Sequence, residues 1–170
     1  MDSKFRIQNY LCPMTIKLIS IGKTDSKSLL QLISEYENRL KHYVKFELEI
    51  IPDIKNAKNL SEMQQKEIEG EAILKKLNPT DSIILLDENG KQYSSIDFSH
   101  FLQKKMNAGT RQLVLIIGGP YGFSEAVYEK SEGKISLSKM TFSHQMVRLF
   151  VVEQIYRAFT ILRNEPYHHR

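Results

Sequence analysis

Two uninterrupted apolar runs constrain this chain more than any other feature: Ile83-Ile84-Leu85-Leu86 and Leu113-Val114-Leu115-Ile116-Ile117. A strand with one face in water alternates apolar and polar residues, whereas a strand covered on both faces does not. Runs of this kind therefore belong inside a parallel sheet with helices on either side. Between them Phe98, Phe101, Leu102 and Met106 fall at helical spacing, which makes the unit strand, helix, strand. The expected class is α/β, a mostly parallel sheet flanked by helices.

The flanking segments fit that plan. Ile16 to Ile21 reads as a first strand ended by Gly22, and Leu29, Leu32, Ile33, Tyr36 and Leu40 follow as a helical stripe. Val44, Phe46, Leu48 and Ile50 alternate with Lys45, Glu47 and Glu49, the pattern of a strand with one wet face near a sheet edge. Ser61 and Gln64 have capping-box spacing, and Ile68, Ala72, Ile73 and Leu77 continue the helix until Pro79 stops it.

The last helix carries Val147, Phe150, Val151, Ile155, Ala158, Phe159 and Leu162 on one face. Met146, Leu149, Val152, Tyr156 and Ile161 make most of the remainder apolar as well. A helix apolar nearly all round must be buried on two sides. The sheet covers one of them, and a second subunit is the expected cover for the other, so the chain is expected to form a homodimer.

Composition narrows the class of protein. With 170 residues, 41% of them hydrophobic and 26% charged, the chain suits one globular domain with a real core. No apolar run approaches the roughly 20 residues that span a membrane, and the N-terminus lacks a signal-peptide pattern, so the expected location is the cytoplasm with no membrane partner. The single cysteine, Cys12, excludes an intrachain disulfide, and the histidines and acids show no metal-ligand spacing, so no metal is expected.

The net charge is +4, mildly favouring a polyanion. From Leu137 onward there are five Lys or Arg (Lys139, Arg148, Arg157, Arg163, Arg170) against Glu153 and Glu165, with three of the five histidines. RNA contact is expected in that region.

Chemistry is expected where buried strands end. Leu85-Leu86 runs into the acidic turn Asp87-Glu88-Asn89-Gly90-Lys91, and Ile116-Ile117 runs into Gly118-Gly119-Pro120-Tyr121-Gly122. Ligands of open α/β sheets bind outside the carboxyl ends of the strands, so both loops should line one crevice. Glycines there admit close backbone approach to a flat ligand, although the spacing is neither a dinucleotide fingerprint nor a phosphate loop. Taken alone, the cluster also describes an ordinary tight turn.

A third segment, Ile135 to His144, mixes apolar and small hydroxyl residues as an adenine and a thioether would require, and leads into the last helix with Ser143 as its expected cap. His144 and Arg148 then share one helix face. The ending Arg163-Asn164-Glu165-Pro166-Tyr167-His168-His169-Arg170 offers the side-chain types that stack on and hydrogen-bond to exposed RNA bases.

Read together, several ordered pieces resemble one family. They are Lys17-Leu18-Ile19-Ser20-Ile21-Gly22-Lys23, Leu86-Asp87 before Gly90-Lys91, and Ile117-Gly118-Gly119 with Gly122. They continue through Leu137-Ser138-Lys139-Met140-Thr141-Phe142, His144, Arg148, Glu153-Gln154-Ile155-Tyr156-Arg157-Ala158 and Pro166-Tyr167-His168. From Met14 to His168 the chain is similar to the small SPOUT-class methyltransferases of the ribosomal RNA large subunit methyltransferase H family. Residues 1–13 lie outside the match, as an extension before a single domain over 14–170.

The resemblance implies an α/β-knot fold, with a C-terminal trefoil knot that forms a pocket for S-adenosylmethionine. It implies that Leu86, Gly118, Leu137, Ser138, Lys139, Met140, Thr141 and Phe142 contact that cofactor. It further implies that His144, Arg148, Arg157, Tyr167 and His168 face the RNA base or support the active site. The implied substrate is N3 of a pseudouridine in 23S ribosomal RNA, within the large ribosomal subunit or the assembled ribosome.

That nitrogen is protonated at neutral pH, so a proton must leave. His144 or His168 can accept it, since an unperturbed histidine titrates near about 6.5. Arg148 or Arg157 can stabilise the charge that develops on the ring. Two other classes remain compatible with the residues: an RNA-binding protein that keeps the fold without catalysis, and a methyltransferase acting on a small molecule. Cofactor binding separates the first, and labelled methyl transfer to ribosomal RNA separates the second.

Overall fold

The computed structural model describes residues 12–168. The chain runs β1 (Cys12–Ile21), α1 (Lys27–Leu40), β2 (Val44–Ile51), a 3-10 turn (Ala57–Asn59), α2 (Glu62–Leu74), β3 (Ser82–Gln92), α3 (Ser95–Asn107), β4 (Gln112–Ile117), α4 (Glu125–Lys130), β5 (Gly133–Ser136) and α5 (His144–Leu162). The five strands form one sheet in the order β2-β1-β4-β3-β5, and every neighbouring pair is parallel. All strands therefore end at the same edge, and the loops that leave them meet there.

The two apolar runs occupy β3 and β4, next to each other at the sheet centre. Alternation along each strand sends side chains to opposite faces. Leu113, Leu115 and Ile117 join Ile84 and the apolar residues of α1, α3 and α5, whereas Val114 and Ile116 join Ile83, Leu85, Ile73 of α2 and Val127 of α4. The molecule has three layers, and both faces of the central strands are dry. β2, with alternating residues, is an edge strand, and its wet-face Glu49 takes salt bridges from Lys17 of β1 and Lys76.

Four local expectations change. β1 begins at Cys12, whose partner is Val44, so strand pairing starts inside the segment set apart as an extension; the remainder of that segment, with His169 and Arg170, lies outside the described residues. The turn expected after Leu86 is an excursion within β3: β5 pairs with Leu86 before it and Lys91 after it, both opposite Ile135. Gly90 is required there, because a Cβ would lie 2.6 Å from the backbone of Ile135.

In α2 the capping box forms as expected, with Ser61 Oγ accepting from Gln64 N–H and Gln64 Oε1 accepting from Ser61 N–H. The helix ends at Leu74, however, and Ile68 faces solvent at 43% exposure while Glu69, Gly70 and Ile73 face inward. The inner face is set by close contact with the loop after β4, at Gly119 and Ser124, which a count of apolar residues does not register.

Finally, α5 is covered within one chain more fully than its apolar girth suggests. It lies on the sheet between α1 and α3, and Val152, assigned to the second face, is fully buried. What stays exposed is a smaller apolar group at its start: Phe150 and Phe142, in edge-to-face contact, with Leu137 and Met140.

Candidate active site

The loop after β4 is a tight reversal. Gly122 has a left-handed φ of +84°, and its N–H donates to Gly119 O at 3.2 Å. Across from it, Ser138 organises the segment after β5 by accepting from Met140 N–H through its hydroxyl and from Ser136 Oγ through its carbonyl. Asp87, in the β3 excursion, accepts from Asn89 N–H at 2.8 Å and from Tyr128 Oη at 2.6 Å. Burial, and secondarily that hydrogen bond, pushes the Tyr128 hydroxyl up to about 12.

These three segments enclose a crevice of about 690 Å³ at the C-terminal edge of the sheet. Of the residues implied to hold a cofactor, Leu86, Gly118, Leu137, Ser138, Met140, Thr141 and Phe142 all line it; Lys139 does not. His144 and Val147, from the first turn of α5, line its mouth, as do Met63 and Lys66 of α2. A second cavity of about 330 Å³ adjoins it behind Leu86, Leu137 and Phe142, reaching Tyr93, Phe98 and Gln154. Among the described residues no group of histidines, cysteines and acids could hold a metal ion, and no helix is long and apolar enough to cross a membrane.

The residues implied for catalysis divide into three environments. His144 is exposed at the crevice mouth, and Ser143 precedes it without the side-chain cap expected of it. Arg148, one turn on, does not pair with His144. It is fully buried, and it donates to Ser20 Oγ at 2.7 Å, Ile21 O at 2.7 Å and Thr24 Oγ1. No carboxylate forms an ion pair with it among the described residues, and burial lowers its pKa against the opposing pull of Asp53 and Asp25.

Its role in the interior is to fasten the loop after β1 to the start of α5. Gln145 adds to the same joint by accepting from Asp25 N–H at 3.1 Å.

Arg157, Tyr167 and His168 form the third environment. After α5 the chain turns at Asn164, with φ +55°, and runs back along the helix. Tyr167 stacks edge-on against Tyr156 with centroids 4.8 Å apart, receives the Arg157 guanidinium 4.7 Å over its ring, and donates to Glu153 Oε1 at 3.0 Å. Glu153 in turn accepts from Arg157 Nε at 3.0 Å, which raises the Arg157 pKa. Tyr36 of α1 meets Tyr167 hydroxyl to hydroxyl at 3.0 Å.

Burial, then the bonds to Tyr36 and Glu153, hold the Tyr167 hydroxyl well above its ordinary range. Glu165 accepts from Tyr43 nearby, and Nδ1 of His168 is buried without a hydrogen-bond partner among the described residues. Glu153, which organises the group, was read only as part of the motif Glu153 to Ala158, although its i, i+4 spacing to Arg157 could have pointed to the pair. Asp87 was legible as an acidic turn and as part of the piece Leu86-Asp87, and the Tyr128 that holds it gave no signal at all.

Comparison with known proteins gives the family. A family described as "Predicted SPOUT methyltransferase" matches residues 14–168. The chain is 71% identical over 157 residues to a "Ribosomal RNA large subunit methyltransferase H" of Flavobacterium johnsoniae, covering 92% of this chain and 100% of that protein. Proteins of the same name from Flavobacterium psychrophilum and Christiangramia forsetii are 69% and 66% identical, with the same coverage.

Proposed function

The chain belongs to the SPOUT methyltransferase family, and from that premise we propose that it transfers the methyl group of S-adenosylmethionine to N3 of a pseudouridine in 23S ribosomal RNA, acting in the cytoplasm on the large subunit or the assembled ribosome. The observation that carries the reading is the crevice of about 690 Å³ at the common end of the strands, within the size range of cofactor sites and lined by seven of the eight residues implied to hold this cofactor.

The residues suit such a guest. Gly118 and Gly119 let backbone approach it, Leu137, Met140 and Phe142 supply an apolar wall, and Ser138 and Asp87 bring polar groups to the rim. Bound there, S-adenosylmethionine supplies a methyl group activated on a sulfonium. The protein must then orient N3, exclude water and take up the N3 proton. His144 stands exposed at the mouth as one acceptor and His168 is the other. Arg157, held by Glu153 and Tyr167, carries the charge that offsets a developing anion, while Arg148 positions the crevice wall.

The two sets of groups do not meet in one chain. A helix advances about 1.5 Å per residue, so Arg157 lies roughly 20 Å along α5 from His144, and the tail lies beside Arg157. We therefore assign the working form to a homodimer in which one subunit's Arg157, Tyr167 and His168 complete the other's crevice. The exposed Phe142, Phe150, Leu137 and Met140 supply apolar surface beside it. Two-fold pairing makes the exchange reciprocal.

The test is transfer of a labelled methyl group from S-adenosylmethionine to purified large subunits, assembled ribosomes and a naked RNA hairpin, with the product nucleoside identified by mass spectrometry. Methylated pseudouridine in particles, with little in the hairpin, is the expected outcome; label in metabolites instead would overturn the reading. Mixing Gly118→Val with His168→Ala subunits tests the shared site, since heterodimers should regain one working crevice. No recovery in demonstrated heterodimers would mean that each subunit completes its own.

A further inference from the structure

Away from the crevice lining and the α5 clusters, Glu69 is a buried carboxylate with an unpartnered oxygen. It sits on the inner face of α2 with only 4% of its surface exposed. Oε1 accepts from Gln65 Nε2 at 3.0 Å, whereas Oε2 is buried with no hydrogen-bond partner, and no Lys, Arg or His forms an ion pair with it among the described residues. Leaving a carboxylate in this state is costly, and an uncharged side chain of the same shape would serve packing better. Burial, and secondarily the nearby Asp53, raises its pKa; only the Gln65 hydrogen bond opposes them.

Its position relates it to the crevice. A Cβ on Gly119 would lie 2.2 Å from Oε2 and 2.7 Å from Cδ, so the carboxylate is pressed against the back of the glycine loop. The next residue makes the same close contact: a Cβ on Gly70 would lie 2.2 Å from Oγ of Ser124, itself buried. The opposite side of that loop, Gly118 to Gly122, is crevice wall. Thus an unpaired carboxylate stands one backbone layer behind the site, where only glycine leaves room for it.

We propose that Glu69 selects the crevice's ligand by charge, favouring a sulfonium cofactor over the neutral thioether that remains after its methyl group has gone. This rests on the reading that the crevice binds S-adenosylmethionine. Substrate cofactor and product differ only in the transferred methyl group and the positive charge it confers on sulfur, and of these two only the charge can be sensed by a group that does not touch the ligand. A carboxylate in a poorly screened position does so through the backbone, without touching the ligand. The cation of the bound cofactor offsets its charge across the glycine loop, and release of the neutral product is thereby favoured. Glu69 is in this sense a specificity-determining residue and not a catalytic one.

The experiment measures dissociation constants of S-adenosylmethionine, S-adenosylhomocysteine and sinefungin by calorimetry, for the wild-type protein and for Glu69→Gln and Glu69→Asp. Sinefungin carries an amine in place of the sulfonium and should group with the cationic cofactor. In Glu69→Gln the preference for the two cations over S-adenosylhomocysteine should fall by roughly three- to tenfold, with thermal stability of the ligand-free protein unchanged or raised. Glu69→Asp, which keeps the charge, should retain most of the preference.

In the wild type the same ratio should fall as the pH drops through the range in which Glu69 takes up a proton. Asp53 faces Glu69, and Glu62, Asp87 and Glu88 line the crevice itself, so the part of this pH dependence that belongs to Glu69 is the part that Glu69→Asp, which moves the carboxylate, shifts along the pH axis. This second measurement decides the matter if Glu69→Gln fails to fold. Equal weakening of all three ligands, with the ratio unmoved by substitution and by pH, would reduce Glu69 to a packing residue and overturn the inference. If the wild type bound none of the three, the cofactor reading of the crevice would fall first.

Discussion

Arg148 and Arg157 lie on the same helix, yet their surroundings are opposite. Arg148 is sealed in the interior and spends its guanidinium on two hydroxyls and a carbonyl, with no carboxylate as partner. Arg157 is only partly covered and is held by Glu153 and the face of Tyr167. The first ties the loop after β1 to the helix start beside the crevice, and the second belongs to a polar cluster whose members brace one another. A buried cation with neutral partners has a structural task, because moving it would strand every group it satisfies. Arg157 can be removed at smaller cost, since 26% of its side chain is exposed and Glu153 keeps its bonds to Tyr167 and Gln154, which leaves the cation available for chemistry.

The contrast can be broken by substitution. Arg148→Ala should be the most damaging change: it opens a cavity and strands the acceptors on Ser20, Ile21 and Thr24, costing about 3–5 kcal/mol in urea denaturation. A loss below about 1 kcal/mol would show that the joint is not structural. In Arg157→Ala stability should fall by about 1.5–3 kcal/mol, less than for Arg148, while methyl transfer falls roughly a hundredfold with cofactor affinity retained. If cofactor affinity fell in parallel, Arg157 would belong to the cofactor site instead.

Gly118→Val probes the open end of the same site. The added Cβ would meet the Phe123 ring at 3.1 Å on one side and intrude on the crevice, so affinity for S-adenosylmethionine should drop about tenfold or more while the fold survives. Unchanged affinity in a folded variant would remove the loop from the cofactor site.

The smallest effect is expected from Tyr167→Phe, which deletes a hydroxyl shared with Glu153 and Tyr36 at a cost of about 1 kcal/mol at neutral pH. The hydroxyl's folded pKa stands above its ordinary 10.0, so its contribution is complete below that value. It is lost as pH rises from there through the folded pKa, because the unfolded chain gives up the proton first. Denaturation midpoints of wild type and variant should therefore converge in alkaline solution and not in acid.

From residue types alone the acidic turn after Leu86 and the glycine loop were expected to line one crevice, and they do, although the glycines by themselves equally describe an ordinary tight turn. The partners of the charged residues were not legible in this way. Ser20 and Thr24 are ordinary residues in sequence, and they become acceptors for Arg148 only because β1 and α5, far apart in the chain, meet at one sheet edge. Glu69 was hidden for a similar reason, since helical spacing around Ile68 pointed the inner face of α2 elsewhere.

What the sequence by itself determined is therefore the parallel sheet, its edge strand and the end at which the strand-leaving loops form a crevice. Those follow from apolar periodicity and turn chemistry, which act between neighbours a few residues apart. Only the tertiary structure decided which cation is buried, which carboxylate lacks a partner and how the tail lies along α5. Charge states and hydrogen-bond partners depend on the distance and desolvation of groups brought together across the whole chain, and no local pattern encodes those.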